Sequence, residues 1–100
     1  MSTFILMTKL AGDTMRDLKH RENIGKEWFE AVKQKCPEVN WIAHYALLGP
    51  YDFMDIYEAP DEEIAAKVSL VTMAKGAVSA ESWNAIPYQH FLEIAEEVAE

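Results

Sequence analysis

Leu47-Leu48-Gly49-Pro50-Tyr51-Asp52-Phe53-Met54-Asp55-Ile56-Tyr57-Glu58-Ala59-Pro60-Asp61-Glu62-Glu63 reads as a strand end, a tight turn, a second strand and a capped helix start. Gly49 tolerates unusual backbone angles and Pro50 presets φ, so the pair suits a turn. The flanking runs, residues 39–48 and 51–58, are rich in aromatic and apolar residues and predict a hairpin. Asp61 is the expected N-cap of the following helix, and Glu62 and Glu63 suit the positive end of its dipole. Two polar residues, His44 and Asp55, fall inside the strand runs. A buried unpaired charge is costly, so each needs a partner.

Outward from this stretch the pattern continues in both directions. Residues 3–9 are apolar and rich in β-formers, as in a strand covered on both faces. Gly12-Asp13 ends it, and Asp13 or Thr14 is placed to cap a short helical turn through Lys19. Asn23 is a second candidate cap. After it Ile24, Trp28, Val32 and Cys36 recur at four-residue spacing, which predicts an amphipathic helix closed by Pro37. One continuous helix over 13–36 is the alternative. Downstream of Asp61, residues 64, 65, 68, 71 and 72 form an apolar helical face, ended by Lys75-Gly76. Residues 77–85 read as a last strand, and 88–99 as a helix with Phe91, Ile94, Ala95 and Val98 on one stripe.

The order strand, helix, strand, strand, helix, strand, plus a terminal helix, is two split βαβ units in tandem. It predicts a single α+β domain over 1–100, a ferredoxin-like sandwich with the first and third strands central. Both helices then lie on one sheet face, and the other is left bare. Ile5, Met7, Met54 and Ile56 alternate with Phe4, Leu6, Phe53 and Tyr57, so the bare face is apolar too. A bare apolar face of that size marks association, and a homodimer or higher oligomer is expected.

Composition narrows function by exclusion. The 100 residues carry a net charge of −8. With only nine basic residues, no patch suits a phosphate backbone or an anionic membrane surface, so neither nucleic acid nor membrane is an expected partner. Three Trp, four Tyr and four Phe are generous for the length. They serve either an oligomer interface or a single core. The single cysteine, Cys36, excludes an intramolecular disulfide and a Cys-based zinc site, and reads as a buried thiol. His20 and His90 read as exposed helix residues, and no second histidine at helical spacing points to a metal. There is no nucleotide or phosphate-loop motif, so no cofactor is expected. With no signal sequence or apolar span in view, a cytoplasmic location is expected.

Gly49-Pro50-Tyr51-Asp52, followed by an apolar strand and Glu58-Ala59-Pro60-Asp61-Glu62, resembles the GYD family of small bacterial and archaeal proteins. Gly49, Tyr51 and Asp52 form the turn motif of that resemblance. It implies a ferredoxin-like fold of the dimeric α+β-barrel type, in which two sheets pair face to face, and implies little about activity. Trp41, Trp83 and Asn84 also invite comparison with cofactor-free monooxygenases and haem-degrading enzymes of that barrel type, a likeness of fold alone.

If Gly49-Pro50 closes the hairpin with Leu48 opposite Tyr51, then Ala46 faces Phe53, His44 faces Asp55 and Ile42 faces Tyr57. Cross-strand Cβ atoms lie about 5 Å apart, so imidazole and carboxylate are within reach. A three-residue loop with a bulge puts His44 opposite Ile56 instead and separates them. The paired register supports a general acid–base pair or a polar anchor in a mostly apolar pocket, with Tyr51, Tyr57, Trp83 and Asn84 as candidate ligand contacts. Asp52 is expected to accept backbone N–H groups at the turn. Three functions follow: a small-molecule or protein-binding accessory protein, a cofactor-independent isomerase or monooxygenase using His44 and Asp55, or a purely structural assembly module.

Overall fold

Helical and strand periodicities alternate along the chain in the expected order. The computed structural model describes residues 1–99, which form β1 (Ser2–Leu10), α1 (Gly12–Arg16), α2 (Arg21–Lys35), β2 (Asn40–Ala46), β3 (Phe53–Ala59), α3 (Glu62–Ala74), β4 (Ala77–Ala85) and α4 (Tyr88–Val98). The sheet is antiparallel throughout, in the order β2-β3-β1-β4, with β1 and β3 central. This is a four-stranded α+β arrangement of the ferredoxin-like kind.

The first helical segment differs from expectation. α1 and α2 are separate, and α2 starts at Arg21 with His20 at its N-cap, so Asn23 lies inside the first turn rather than capping it. Asp17 accepts the backbone N–H of His20 at 3.3 Å and so organises the break between the two helices. Asp61 does cap α3, its side chain accepting the Ile64 N–H at 3.1 Å. Gly76 follows α3 with φ of 109°, a left-handed conformation that glycine adopts without steric cost.

The core lies between the sheet and α2–α3. Leu6, Tyr57 and Val68 are fully buried, with Phe4, Ala59, Cys36, Ile64 and Ala65 packed around them. Burying a side chain of this size contributes about 1.5–3 kcal/mol. Trp28 on α2 donates its indole N–H to the Thr72 hydroxyl of α3 at 2.9 Å, and that hydroxyl donates to the Val68 carbonyl at 2.7 Å. The two helices are thereby pinned together over the sheet. A continuous run of ring contacts joins Phe4, Tyr57, Trp41, Phe29 and Trp28 to His44 and Phe53. Much of the aromatic supply therefore fills this chain's own interior.

The opposite sheet face presents Ile5, Met7, Tyr45, Met54, Ile56 and Trp83, as the ladder registers and pleat alternation require. No helix covers it. All eleven residues of α4 are exposed, including the stripe of Tyr88, Phe91, Leu92, Ile94 and Val98. The molecule measures 56 × 29 × 18 Å with a radius of gyration of 15.3 Å, against about 13 Å for a compact chain of this length. α4 accordingly stands off the body as an arm.

Candidate functional site

The β2–β3 ladder runs Ala46–Phe53, Tyr45–Met54, His44–Asp55, Ala43–Ile56, then shifts so that Trp41 opposes Tyr57. The pairing of Ile42 with Tyr57 expected from the sequence does not form. The extra residue of a bulge leaves Ile42 exposed and turns Trp41 toward the core. The turn-proximal half keeps the simple register, and His44 and Asp55 sit side by side.

His44 Nδ1 lies 2.5 Å from an Asp55 carboxylate oxygen. A carboxylate at that nitrogen selects the tautomer protonated on Nδ1 and leaves Nε2 free to exchange a proton or a hydrogen bond with a bound molecule. Asp55 is almost wholly buried. Burial pushes its carboxyl up to about 6, and the charge and hydrogen bond of His44 pull only partly against that rise. The imidazole stacks with Trp28 at 5.9 Å and with Phe53 at 5.6 Å, ring planes 24° and 14° apart. Arg21 places its guanidinium 5.2 Å from the centre of the Phe53 ring.

These groups line a mostly apolar cleft of about 50 Å³ between the sheet and the N-terminal turns of α2. Thr8, Thr72 and Asp55 are its buried polar groups, while Arg21 and Lys75 are its cations. A void of this size holds about four waters. Chemically it is a site that can seat a few apolar atoms beside a proton-exchanging pair.

The structure brings His44 and Asp55 together but does not gather the other candidates around them. Tyr57 is buried in the core, stacked on Phe4, with its hydroxyl 2.8 Å from that of Ser82. Tyr51 and Trp83 belong to the opposite sheet face. Trp83 pairs with Ile5 rather than with the helix-side residues Phe4 and Leu6, and Tyr51 meets it edge-on at 6.0 Å. Glu81 joins them, accepting from the Tyr51 hydroxyl and the Trp83 indole, each at 2.9 Å, and these bonds hold its carboxyl below the usual range. Asn84 is exposed opposite Phe4, with β1 between it and Asp55. Alternation along a strand assigns faces only once the register with β1 is known, and that register is a long-range property.

Asp52 accepts a backbone N–H, though from β1 rather than within the turn: its carboxylate takes Leu10 N–H at 2.8 Å. The reciprocal bond from Asp52 N–H to Thr8 carbonyl is also 2.8 Å. Cys36 is buried, and that burial raises its thiol above the ordinary value, which suits packing and not nucleophilic chemistry. His20 and His90 lie exposed beside Asp17 and Glu93. Sequence reading passed over Arg21, Gly25 and Lys75 as cleft residues. The signal that could have found one of them is Gly25 itself, an isolated glycine inside a helical pattern.

Comparisons with known proteins agree with this architecture. A Thermus thermophilus protein named glutamine synthetase and cystathionine beta-lyase binding protein is 36% identical over 88 residues, spanning 87% of this chain and 90% of its own length. The crystal structure of TTHA0845, also from Thermus thermophilus, superposes with a TM-score of 0.55 at 22% identity, covering 87% of this chain and 95% of that one, a likeness of fold. The GYD domain model matches residues 4–95, so the chain belongs to the GYD domain family.

Proposed function

We propose that this protein is a self-associating accessory protein that binds other proteins and carries a small, mostly apolar ligand cleft at His44 and Asp55. The observation that carries this reading is the pair of unpartnered apolar surfaces on one small chain, the bare sheet face and the α4 stripe. Each is apolar against a polar remainder, and no helix among the described residues packs on the sheet face, although Met7 at its centre is buried. Two copies with their bare faces together form the dimeric α+β-barrel arrangement, and α4 then reaches across onto the partner. The relative's name supports a protein-binding role, and glutamine synthetase and cystathionine beta-lyase are the first partners to try.

Light scattering on the purified protein tests self-association: a mass of at least twice 11.4 kDa at micromolar concentration is expected, and a monomer overturns it. Surface plasmon resonance against the two enzymes tests partner binding. A flat response to both counts against the accessory role.

The second reading is a cofactor-independent isomerase or monooxygenase. The His44–Asp55 hydrogen bond, with the carboxyl pushed up to about 6 beside a cleft, favours it. On that reading His44 and Asp55 relay a proton to and from a bound substrate.

A further inference from the structure

Gly25 is the fifth residue of α2 and lines the cleft, and a Cβ built there meets nothing within 4 Å. Packing therefore does not require glycine, and glycine inside a helix is less stable than alanine. The glycine leaves bare backbone at the cleft wall. Around the same opening stand Arg21, Lys75 and His44, with the Arg21 guanidinium over Phe53 and one of its N–H groups donated to Met15 Sδ at 3.7 Å. Among the described residues lining the cleft, the cations Arg21 and Lys75 stand against a single carboxylate, Asp55. Asp55, the cleft's own carboxylate, is already engaged by His44.

The walls between these groups are apolar, chiefly Trp28, Phe53, Ile24 and Leu10. Asp13, Asp17 and Glu27 line a neighbouring groove that shares Ile24, Trp28 and Lys75 with the cleft, so a second negative charge on a ligand would be repelled.

We propose that the cleft binds a small monocarboxylate with a short branched or aromatic apolar group. The apolar group occupies the space beside Gly25, against Trp28 and Phe53, and the carboxylate meets Arg21 and Lys75 at the rim. This rests on the reading of the cleft as a ligand site, given above. A plain carboxylic acid and an apolar amino acid share this chemistry. The adjoining acidic groove gives an ammonium group a place to lie in the second case.

The test is an NMR titration of the full-length protein, following the Trp28 indole and the Arg21 side chain. The probes are 4-methylpentanoate, leucine, 4-methylpentan-1-ol, 3-methylbutylamine and succinate. Saturable binding of 4-methylpentanoate or leucine is expected, at least tenfold tighter than the alcohol, the amine or succinate. The tighter of the two names the source.

Gly25→Ala should crowd a ligand lying against that wall and weaken binding at least tenfold while the melting temperature holds or rises, so unfolding cannot imitate the effect. Arg21→Gln should bring the acid down to the affinity of the alcohol. Equal binding of acid and alcohol, an undiminished affinity in Gly25→Ala, or no saturable binding of either carboxylate to the folded protein overturns the proposal. The cleft and the bare sheet face lie on opposite sides of the sheet. Loss of self-association with carboxylate binding intact therefore defeats the accessory reading alone, and the reverse result defeats this one alone.

Discussion

His44 and Asp55 share a 2.5 Å hydrogen bond across the β2–β3 ladder, yet the imidazole is 57% exposed and the carboxylate 3%. One partner faces the cleft mouth and the other the interior. A carboxylate so enclosed is poorly solvated, and its charge is supported from outside chiefly through the imidazole. Arg21 on α2 and Lys75 after α3 are the other charged groups lining this space.

The Asp55 carboxyl should titrate near 6 in the folded protein, measured by carbon-13 NMR of its carboxyl. His44 is the influence that holds it down, so His44→Ala should move the titration upward. Because the folded value lies above the ordinary 3.8, ionisation favours the unfolded chain. This contribution costs nothing below about pH 4 and grows as the pH rises through the window from about 4 to 6. Urea denaturation of Asp55→Asn against the parent should show the difference between them moving in favour of the asparagine variant across that window. A pH-independent difference would contradict the assignment.

Asp52→Ala should destabilise the fold by about 1–3 kcal/mol, because it leaves the half-buried Leu10 N–H without its acceptor. Hydrogen exchange at Leu10 should accelerate more than at Leu6 in the middle of the same strand. Asp52→Asn retains an acceptor oxygen and should recover most of the loss. A purely local turn role would instead leave Leu10 exchange unchanged.

How much of this was readable from the residues depends on the range of the interaction. The hairpin was legible because Gly49-Pro50 punctuates it and because His44 and Asp55 lie at equal distances from the turn. Asp61 and Gly76 were legible for the same reason, each acting on backbone within a few positions of itself. The bulge before Ala43 carries no glycine and left no mark in the pattern. Trp83 was misplaced because the β1–β4 register, which decides its face, joins strands about 75 residues apart in sequence, and Tyr51 follows it through contacts with Trp83 and Glu81. The approach of Arg21 and Gly25 to the cleft depends on how α2 sits on the sheet. Periodicity defines that helix's apolar stripe but not the neighbours at its ends.

Leu6→Ala should cost about 3 kcal/mol, within the range for truncating a fully buried leucine. Leu6 lies opposite Asp55 on one side and Ser82 on the other, at the crossing of the two central ladders. The loss should appear in the denaturation midpoint with little change in slope. Ile5→Ala, one position along and on the uncovered face, should cost the isolated chain much less. The two substitutions together separate the face packed within the chain from the face offered outward.

The outward face is tested by charge. Trp83→Asp places a carboxylate beside Glu81 on the bare sheet surface, and Phe91→Asp interrupts the α4 stripe. Neither side chain belongs to the core, so each variant should fold with circular dichroism like that of the parent. Burying an unpaired carboxylate between two copies is costly enough to defeat a small interface. Light scattering should therefore show each variant shifted toward the monomer, with the 4-methylpentanoate affinity of the cleft preserved. If Trp83→Asp dissociates the assembly while Phe91→Asp leaves it intact, the sheet face alone joins the copies. The α4 arm is then left free as the surface for a different protein.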